Sequence, residues 1–249
     1  MLVRMSSWDE VYRTVCSLVS HKYGGLQYFR GHSSSEWPLV PGLGRAGPSA
    51  VAKIGFQHLL ELEESLYSRF VNRAGPLLPR SNDGWSNLFA MQHHGLPTRL
   101  LDWSRTFAVA LHFALIKPTD EVAVWILDPY ALNFEVRGSR AVADVSFLGT
   151  YDDLYSTKNP PPVTPDVLAV TAAEHTSRLA GQRACFTLHN DLSRPLELLH
   201  PGCLRKITIG RAAYTGARQF LHLAGVSEFS LFPDLDGLAR ELRQTFCFD

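Results

Sequence analysis

The residues from Gln92 to Leu115, QHHGLPTRLLDWSRTFAVALHFAL, leave the chain little local freedom. A helix ending in the paired histidines must stop at Gly95. Glycine readily takes the left-handed conformation just past a helix end, and Pro97 two positions on cannot continue the helix. TRLLDW then reads as a strand, with Ser104 the expected N-cap of a helix running to Ile116. A helix, a strand and a second helix are therefore joined by turns too short to let them separate. This corner holds His93, His94, Arg99, Asp102 and Ser104 within about a dozen positions, a mixture that few packed cores need. With Arg99 and Asp102 set inside an apolar strand, both are expected to be largely buried and hydrogen-bonded, since unpaired burial is costly.

The rest of the chain supplies the elements that the corner packs against. A helix is expected from Ser7 to Tyr23, with Ser7 as N-cap and Gly24 and Gly25 as the stop. LQYFRG, EVAVWILDP, VLAVTA, RACFTLHN and LRKITIG read as strands. Further helices are expected at about 52–72, 85–94 and 213–224, and a last one at or just after Pro233. SSSEWPLVPGLGRAGPSAV reads as an irregular loop and KNPPPVTP as a clear one; from Tyr130 to Pro165 the pattern is mixed. Strands and helices interleave without clean βαβ alternation, which predicts an α+β fold. The expected organisation is one domain over 1–249, with an N-terminal helix in 1–25 and the core in 26–249.

Composition narrows the partners. Hydrophobic residues make up 45% of the 249 and charged ones 19%, a globular balance. Lys plus Arg equals Asp plus Glu at 24 each, so no global basic field draws the protein to nucleic acid or membrane. Arg nonetheless far outnumbers Lys, and Arg suits bidentate contact with phosphate or carboxylate. Cys16, Cys185, Cys203 and Cys247 are scattered without CxxC spacing. They are expected to be reduced and mostly buried, in a cytoplasmic protein. No signal peptide is visible and no run of 18 apolar residues could span a membrane.

Several chemistries can be weighed on residue spacing. Adjacent His93 and His94 point about 100° apart on a helix and would rarely share a metal. Ser104 and Asp102 lie close to them, but triad members come from distant segments and no GxSxG elbow exists. Neither GxxxxGK[ST] nor GxGxxG occurs. Arg30–Gly31 at the end of a strand would let backbone approach an anion while the guanidinium grips it. An Arg30–Asp102 pair across the core is the structural alternative.

Four stretches carry a resemblance: YFRGHSSSEWPLVPGLGR, LFAMQHHGLPTRLLDWSRTFAVALHFA, SRLAGQRACFTLH and SLFPDLDGLA. They are similar to the blocks of the FRG domain, named for Phe29-Arg30-Gly31, and run from about Gln27 to Leu242. The third block departs from the usual Gln-x-Gly-x-Phe, with Ala184 at the glycine. FRG domains are found mainly in bacteria and phages. The order of blocks more distantly resembles the ADP-ribosyltransferase fold, which implies a mixed, mainly antiparallel split sheet flanked by helices. That fold carries an Arg on its first strand, a Ser/Thr strand end before an Ala-x-x-Phe-Ala helix, and a strand beginning at Glu. Here these would be Arg30 with Gly31, Ser104 before ALHFA, and Gln182 in place of the acid.

The resemblance implies an NAD-dependent ADP-ribosyltransferase, a toxin or phage-defence effector acting on nucleic acid or protein, with NAD as substrate and an antitoxin or other partner protein. Arg30, Ser104 and Gln182 would form the catalytic set, and Tyr28, Gly31, His32, His93, His94 and Arg99 would bind NAD. Gln182 offers no charge to an oxocarbenium-like transition state. An acid must then come from elsewhere, with Glu174 the nearest upstream candidate, and Gln182→Glu would be expected to raise turnover. The missing acid also leaves open a non-catalytic module for a nucleotide, ADP-ribose or nucleic acid. A third reading is a nuclease using His93, His94, Arg99 and Asp102.

Overall fold

The computed structural model describes residues 4–19, 25–53, 55, 58–78, 84–148, 150–151, 166–171 and 177–247. Among the described residues seven strands form one open sheet: β1 (Arg4–Met5), β2 (Tyr28–His32), β3 (Leu100–Ser104), β4 (Glu121–Leu127), β5 (Val167–Val170), β6 (Ala184–His189) and β7 (Leu204–Gly210). Their order across the sheet is β1-β7-β4-β2-β3-β6-β5. β1 runs parallel to β7, and every other pairing is antiparallel. A mixed, mainly antiparallel sheet in an α+β chain agrees with the expectation from sequence, but the sheet is continuous where a split one was expected. It is narrowest in the middle. β2 and β3 share one register pair, Phe29 with Ser104, whereas β4 and β7 pair along their full length.

Eleven α-helical elements accompany the sheet among the described residues: α1 (Trp8–Leu18), α2 (Gly42–Lys53), α3 (Leu59–Ala74), α4 (Gly84–His93), α5 (Phe107–Leu115), α6 (Pro129–Arg137), α7 (Ser177–Gly181), α8 (Leu196–Leu199), α9 (Tyr214–Leu223), α10 (Glu228–Leu231) and α11 (Leu235–Thr245). Ser7 caps α1 by accepting from the Glu10 amide, as its position predicts. α1 ends at Leu18, with Val19 extended as its C-cap, short of the expected end at Tyr23 with its stop at Gly24 and Gly25. Gly24 itself lies outside the described residues. Gly95, with φ of 81°, ends α4 as expected, and the Leu96 amide reaches back to the Met91 carbonyl.

Other expectations are corrected. The Gly/Pro-rich stretch after Pro41 is not a loop but α2, kinked where Gly47 takes φ of 71°. Thr106, not Ser104, is the N-cap of α5. The mixed region beyond Tyr130 opens with α6, capped by Asp128 through the Ala131 amide, started by Pro129 and closed by Gly138 at φ of 69°. Two cysteines are exposed, Cys16 and Cys247, against two buried, and all four are free.

Apolar residues collect on both faces of the sheet. On one face Phe29, Val124 and Ile126 pack with α5, α9 and α1, while Leu100 and Phe186 pack with Trp85 and Leu88 of α4. On the other face Tyr28, Leu101, Trp103, Trp125 and Leu127 pack with Leu132 of α6. The edge strand β5 is closed by the buried Asn133. Its side-chain amide donates to the Ala169 carbonyl and accepts from the Ala169 amide at 2.9 and 2.8 Å, in the manner of a further strand. Among the described residues no helix is long and apolar enough to cross a membrane.

Candidate functional site

Two packing facts open a cavity above the middle of the sheet. The first is the approach of α5 to β2. At Gly31 an added Cβ would sit on the Ala110 carbonyl oxygen and 2.7 Å from the Ala114 amide, so only glycine lets the helix lie that close. The second is the separation of β2 from β3 beyond the Phe29–Ser104 pair. Arg30 bridges the opening: its Nη1 donates to the Asp102 carbonyl at 2.6 Å and lies 3.9 Å from the Asp102 carboxylate.

Arg30 is held from its own strand as well. Its Nε–H donates to His32 Nε2 at 3.1 Å, and His32 Nδ1 lies 3.1 Å from the Trp37 carbonyl. An arginine Nε can only donate, so His32 Nε2 must accept and Nδ1 must carry the proton. Burial, with Arg30 beside it, lowers the His32 pKa to about 3, so the ring is neutral at neutral pH. Burial also pulls Arg30 down to about 10, opposed by Asp102, which leaves the guanidinium charged.

The cavity measures about 1580 Å³. Its walls are largely apolar and include the aromatic residues Phe29, Phe89, Phe113, Phe186 and Trp37, and they carry the cations Arg30, Arg45 and Arg178. Asp102 is the carboxylate of its lining among the described residues. Its side chain is 56% exposed, not buried as its apolar strand suggested. The carboxylate is steadied by Gln92, whose Nε2 donates to it at 2.8 Å while Gln92 Oε1 accepts from the Thr98 hydroxyl. Its charge favours the protonated form of Arg30 and, with Asp234, that of Arg178.

Of the residues singled out by sequence, Arg30, Gly31, His32, His93, His94, Ser104 and Gln182 line this cavity. Arg30, Ser104 and Gln182 come from β2, the end of β3 and the residue two before β6, three neighbours in the sheet. Ser104 already has partners: its hydroxyl donates to the Gln182 carbonyl at 2.8 Å and accepts from the Thr106 amide at 3.1 Å. The Gln182 side chain donates to the Leu231 carbonyl at 3.3 Å. His93 ends α4, and burial, then Arg178, keeps its pKa below the usual histidine value. Glu174, considered as an alternative acid, lies outside the described residues.

Two candidates are not in the cavity. Tyr28 is fully buried on the opposite face, its hydroxyl donating to the Val170 carbonyl at 3.1 Å. Arg99 is buried with Glu63, which accepts from the Arg99 amide at 2.7 Å and from its Nε at 2.5 Å. Both are parts of the scaffold. Sequence reasoning passed over Arg178, Gln92 and Arg45 as site residues, because no local pattern ties them to Arg30. It placed Asp102 in a site only under the nuclease reading and otherwise expected it to be buried. Among the described residues no group of three His, Cys, Asp or Glu side chains is placed to hold a metal ion.

Residues 26–122 match the family model of the FRG domain. The matched segment runs from just before β2 to the start of β4 and includes Arg30, Gly31, the two histidines, Asp102 and Ser104. The third and fourth blocks, with Arg178 and Gln182, lie beyond it. No curated protein and no solved structure matches the chain.

Proposed function

From the premise that the chain carries an FRG domain over residues 26–122, we propose that it is an NAD-dependent ADP-ribosyltransferase. The carrying observation is that Arg30 of β2, Ser104 of β3 and Gln182 from the turn before β6, far apart in sequence, meet around one cavity that carries aromatic residues. Aromatic residues suit the rings of a dinucleotide, and a prearranged guanidinium suits its diphosphate. The chemistry needs a negative charge near the anomeric carbon as the nicotinamide bond breaks. Gln182 cannot supply it. Asp102 can: it lines the cavity beside Arg30, and Gln92 holds its carboxylate. In this reading Arg30 binds the diphosphate, Asp102 stabilises the cationic sugar, and Ser104 and Gln182 shape the wall between them.

A second reading, a non-catalytic module for a nucleotide, is favoured by one contact. The Gln182 amide is spent on the Leu231 carbonyl, so the position that resembles the transferase acid holds the fold together. Incubation with NAD separates the two. Release of nicotinamide that is lost in Asp102→Asn supports the transferase. ADP-ribose binding in calorimetry without any nicotinamide release, under all acceptor conditions, would leave the binding module.

A further inference from the structure

The cavity has a second cationic pole, at Arg178. Ligand pockets usually measure about 300–1,000 Å³, and this one is larger at about 1580 Å³. Arg178 lies on its wall, half-buried, with burial lowering its pKa. Its Nη1 donates to the His93 carbonyl at 3.3 Å and its guanidinium lies 4.7 Å from the centre of the Phe232 ring. Phe232 also carries Arg240 at 5.1 Å and meets Phe113 edge-on at 6.1 Å. Among the described residues no carboxylate comes within ion-pair distance of Arg178. Asp102 and Asp234 act on it only through space, so a half-buried guanidinium on the cavity wall keeps capacity for an anion. His93 and His94 stand beside it, their rings 4.9 Å apart.

We propose that this pole receives a phosphate of a single-stranded nucleic acid, which is the acceptor of the transferase reading above and rests on it. The two guanidiniums would then hold one anionic substrate each, with Asp102 beside Arg30. A phosphate beside stacking surfaces is the signature of a nucleotide, whereas an acidic peptide offers charge without rings. The aromatic residues of the wall supply those surfaces, including Trp37, which is 54% exposed at the cavity. The protein has no net charge, so capture depends on the cavity and not on a long-range field. In the transfer step the bond between the ribose anomeric carbon and the nicotinamide nitrogen breaks, and its electron pair neutralises the pyridinium. An amine or hydroxyl of the acceptor nucleotide bonds to the same carbon and releases its proton to Asp102.

The test is binding of a fluorescein-labelled ten-nucleotide single strand, read by anisotropy, to the wild type, Arg178→Gln and Arg178→Lys. Wild-type binding is expected to weaken tenfold or more in Arg178→Gln and less in Arg178→Lys. The logarithmic salt slope should shrink by about 0.7 in Arg178→Gln, as for one lost phosphate contact to a single strand. Thermal melting of each variant establishes that it is folded; should Arg178→Gln not fold, Arg178→Lys and a strand of the same bases with an uncharged methylphosphonate backbone carry the comparison. Equal binding by folded variants, no binding by the wild type, or preferential Arg178-dependent binding of poly-glutamate would overturn the proposal. The transferase reading fails separately: ADP-ribose that does not bind, or binds without regard to Arg30, removes it while the oligonucleotide result stands on its own.

Discussion

Arg30 and His32, two residues apart on β2, form one hydrogen-bonded unit: the Arg30 Nε–H donates to His32 Nε2 at 3.1 Å, and the Trp37 carbonyl fixes the tautomer that makes this possible. An arginine has several rotatable bonds, and anchoring Nε and Nη1 removes much of that freedom before a ligand arrives. His32 is therefore a positioning residue, not a ligand contact of its own kind. His32→Ala should leave a folded protein that binds ADP-ribose about tenfold more weakly, the equivalent of one hydrogen bond to a charged group at about 1.5 kcal/mol. Arg30→Lys should lose at least as much, because the planar fork is lost although the charge remains. Calorimetry decides; unchanged affinity in both variants would separate Arg30 from the ligand.

Asp102 should behave as a site residue and not as a core residue. With its side chain 56% exposed, Asp102→Asn is expected to change stability by less than about 0.5 kcal/mol. Nicotinamide release, by contrast, should fall about a hundredfold or more, the usual consequence of removing one electrostatic group. Gln182→Glu should bring no gain. A carboxylate there would lose the donor that meets the Leu231 carbonyl and place two acceptors together. Melting curves and nicotinamide release on the same preparations check all three statements.

The buried charge pair of this region is Glu63–Arg99, and Asp102 is not part of it. Glu63 is wholly buried and takes two hydrogen bonds from Arg99, itself 4% exposed. Glu63→Ala leaves a buried guanidinium without its carboxylate and should cost about 3–5 kcal/mol. Urea denaturation measures it, and a loss below 1 kcal/mol would mean that the pair relaxes into water.

Gly31→Ala tests the approach of α5. The new Cβ collides with the Ala110 carbonyl and the Ala114 amide, both backbone, so neither can move without the helix. A loss of at least about 3 kcal/mol is expected, at the upper end for overpacking. Gly138, where nothing lies near an added Cβ but φ is 69°, should cost only about 1 kcal/mol on the same exchange, from backbone strain alone.

Acid should unfold the protein partly through two neutral histidines. Burial, then Arg30, holds His32 and His189 at about 3, against an ordinary value of 6.5. Between these values the unfolded chain binds protons that the folded one refuses, so stability rises with pH across roughly 3 to 6.5 and is flat above it. Each ring contributes a slope of up to about 1.4 kcal/mol per pH unit within that window. Denaturant midpoints at a series of pH values give the slope, and it should diminish in His189→Gln. A stability that is level from pH 7 down to pH 4 would contradict both assignments.

The sequence by itself determined the local units. The break at Gly95–Pro97, the strand through Asp102, the helix after it and the cap at Ser7 depend on residues within one or two turns, where backbone preference and periodicity act directly. Asp128, Pro129 and Gly138 also mark α6 in the sequence, in the order of a cap, a first turn and a stop. Tertiary structure decided what those signals cannot carry. The Gly/Pro-rich run after Pro41 is helical because Leu43 packs against Leu62 of α3, in spite of poor propensity. Tyr28 and Arg30 lie two apart on one strand, yet one is sealed beneath the sheet and the other faces the cavity. Asp102 sits in an apolar strand and is exposed. Both outcomes follow from the single Phe29–Ser104 pair, beyond which β2 and β3 part and Arg30 fills the opening. Where two strands part is set by everything packed on the sheet, α5 against Gly31 above all, and contacts between residues some seventy positions apart leave no local trace in the chain.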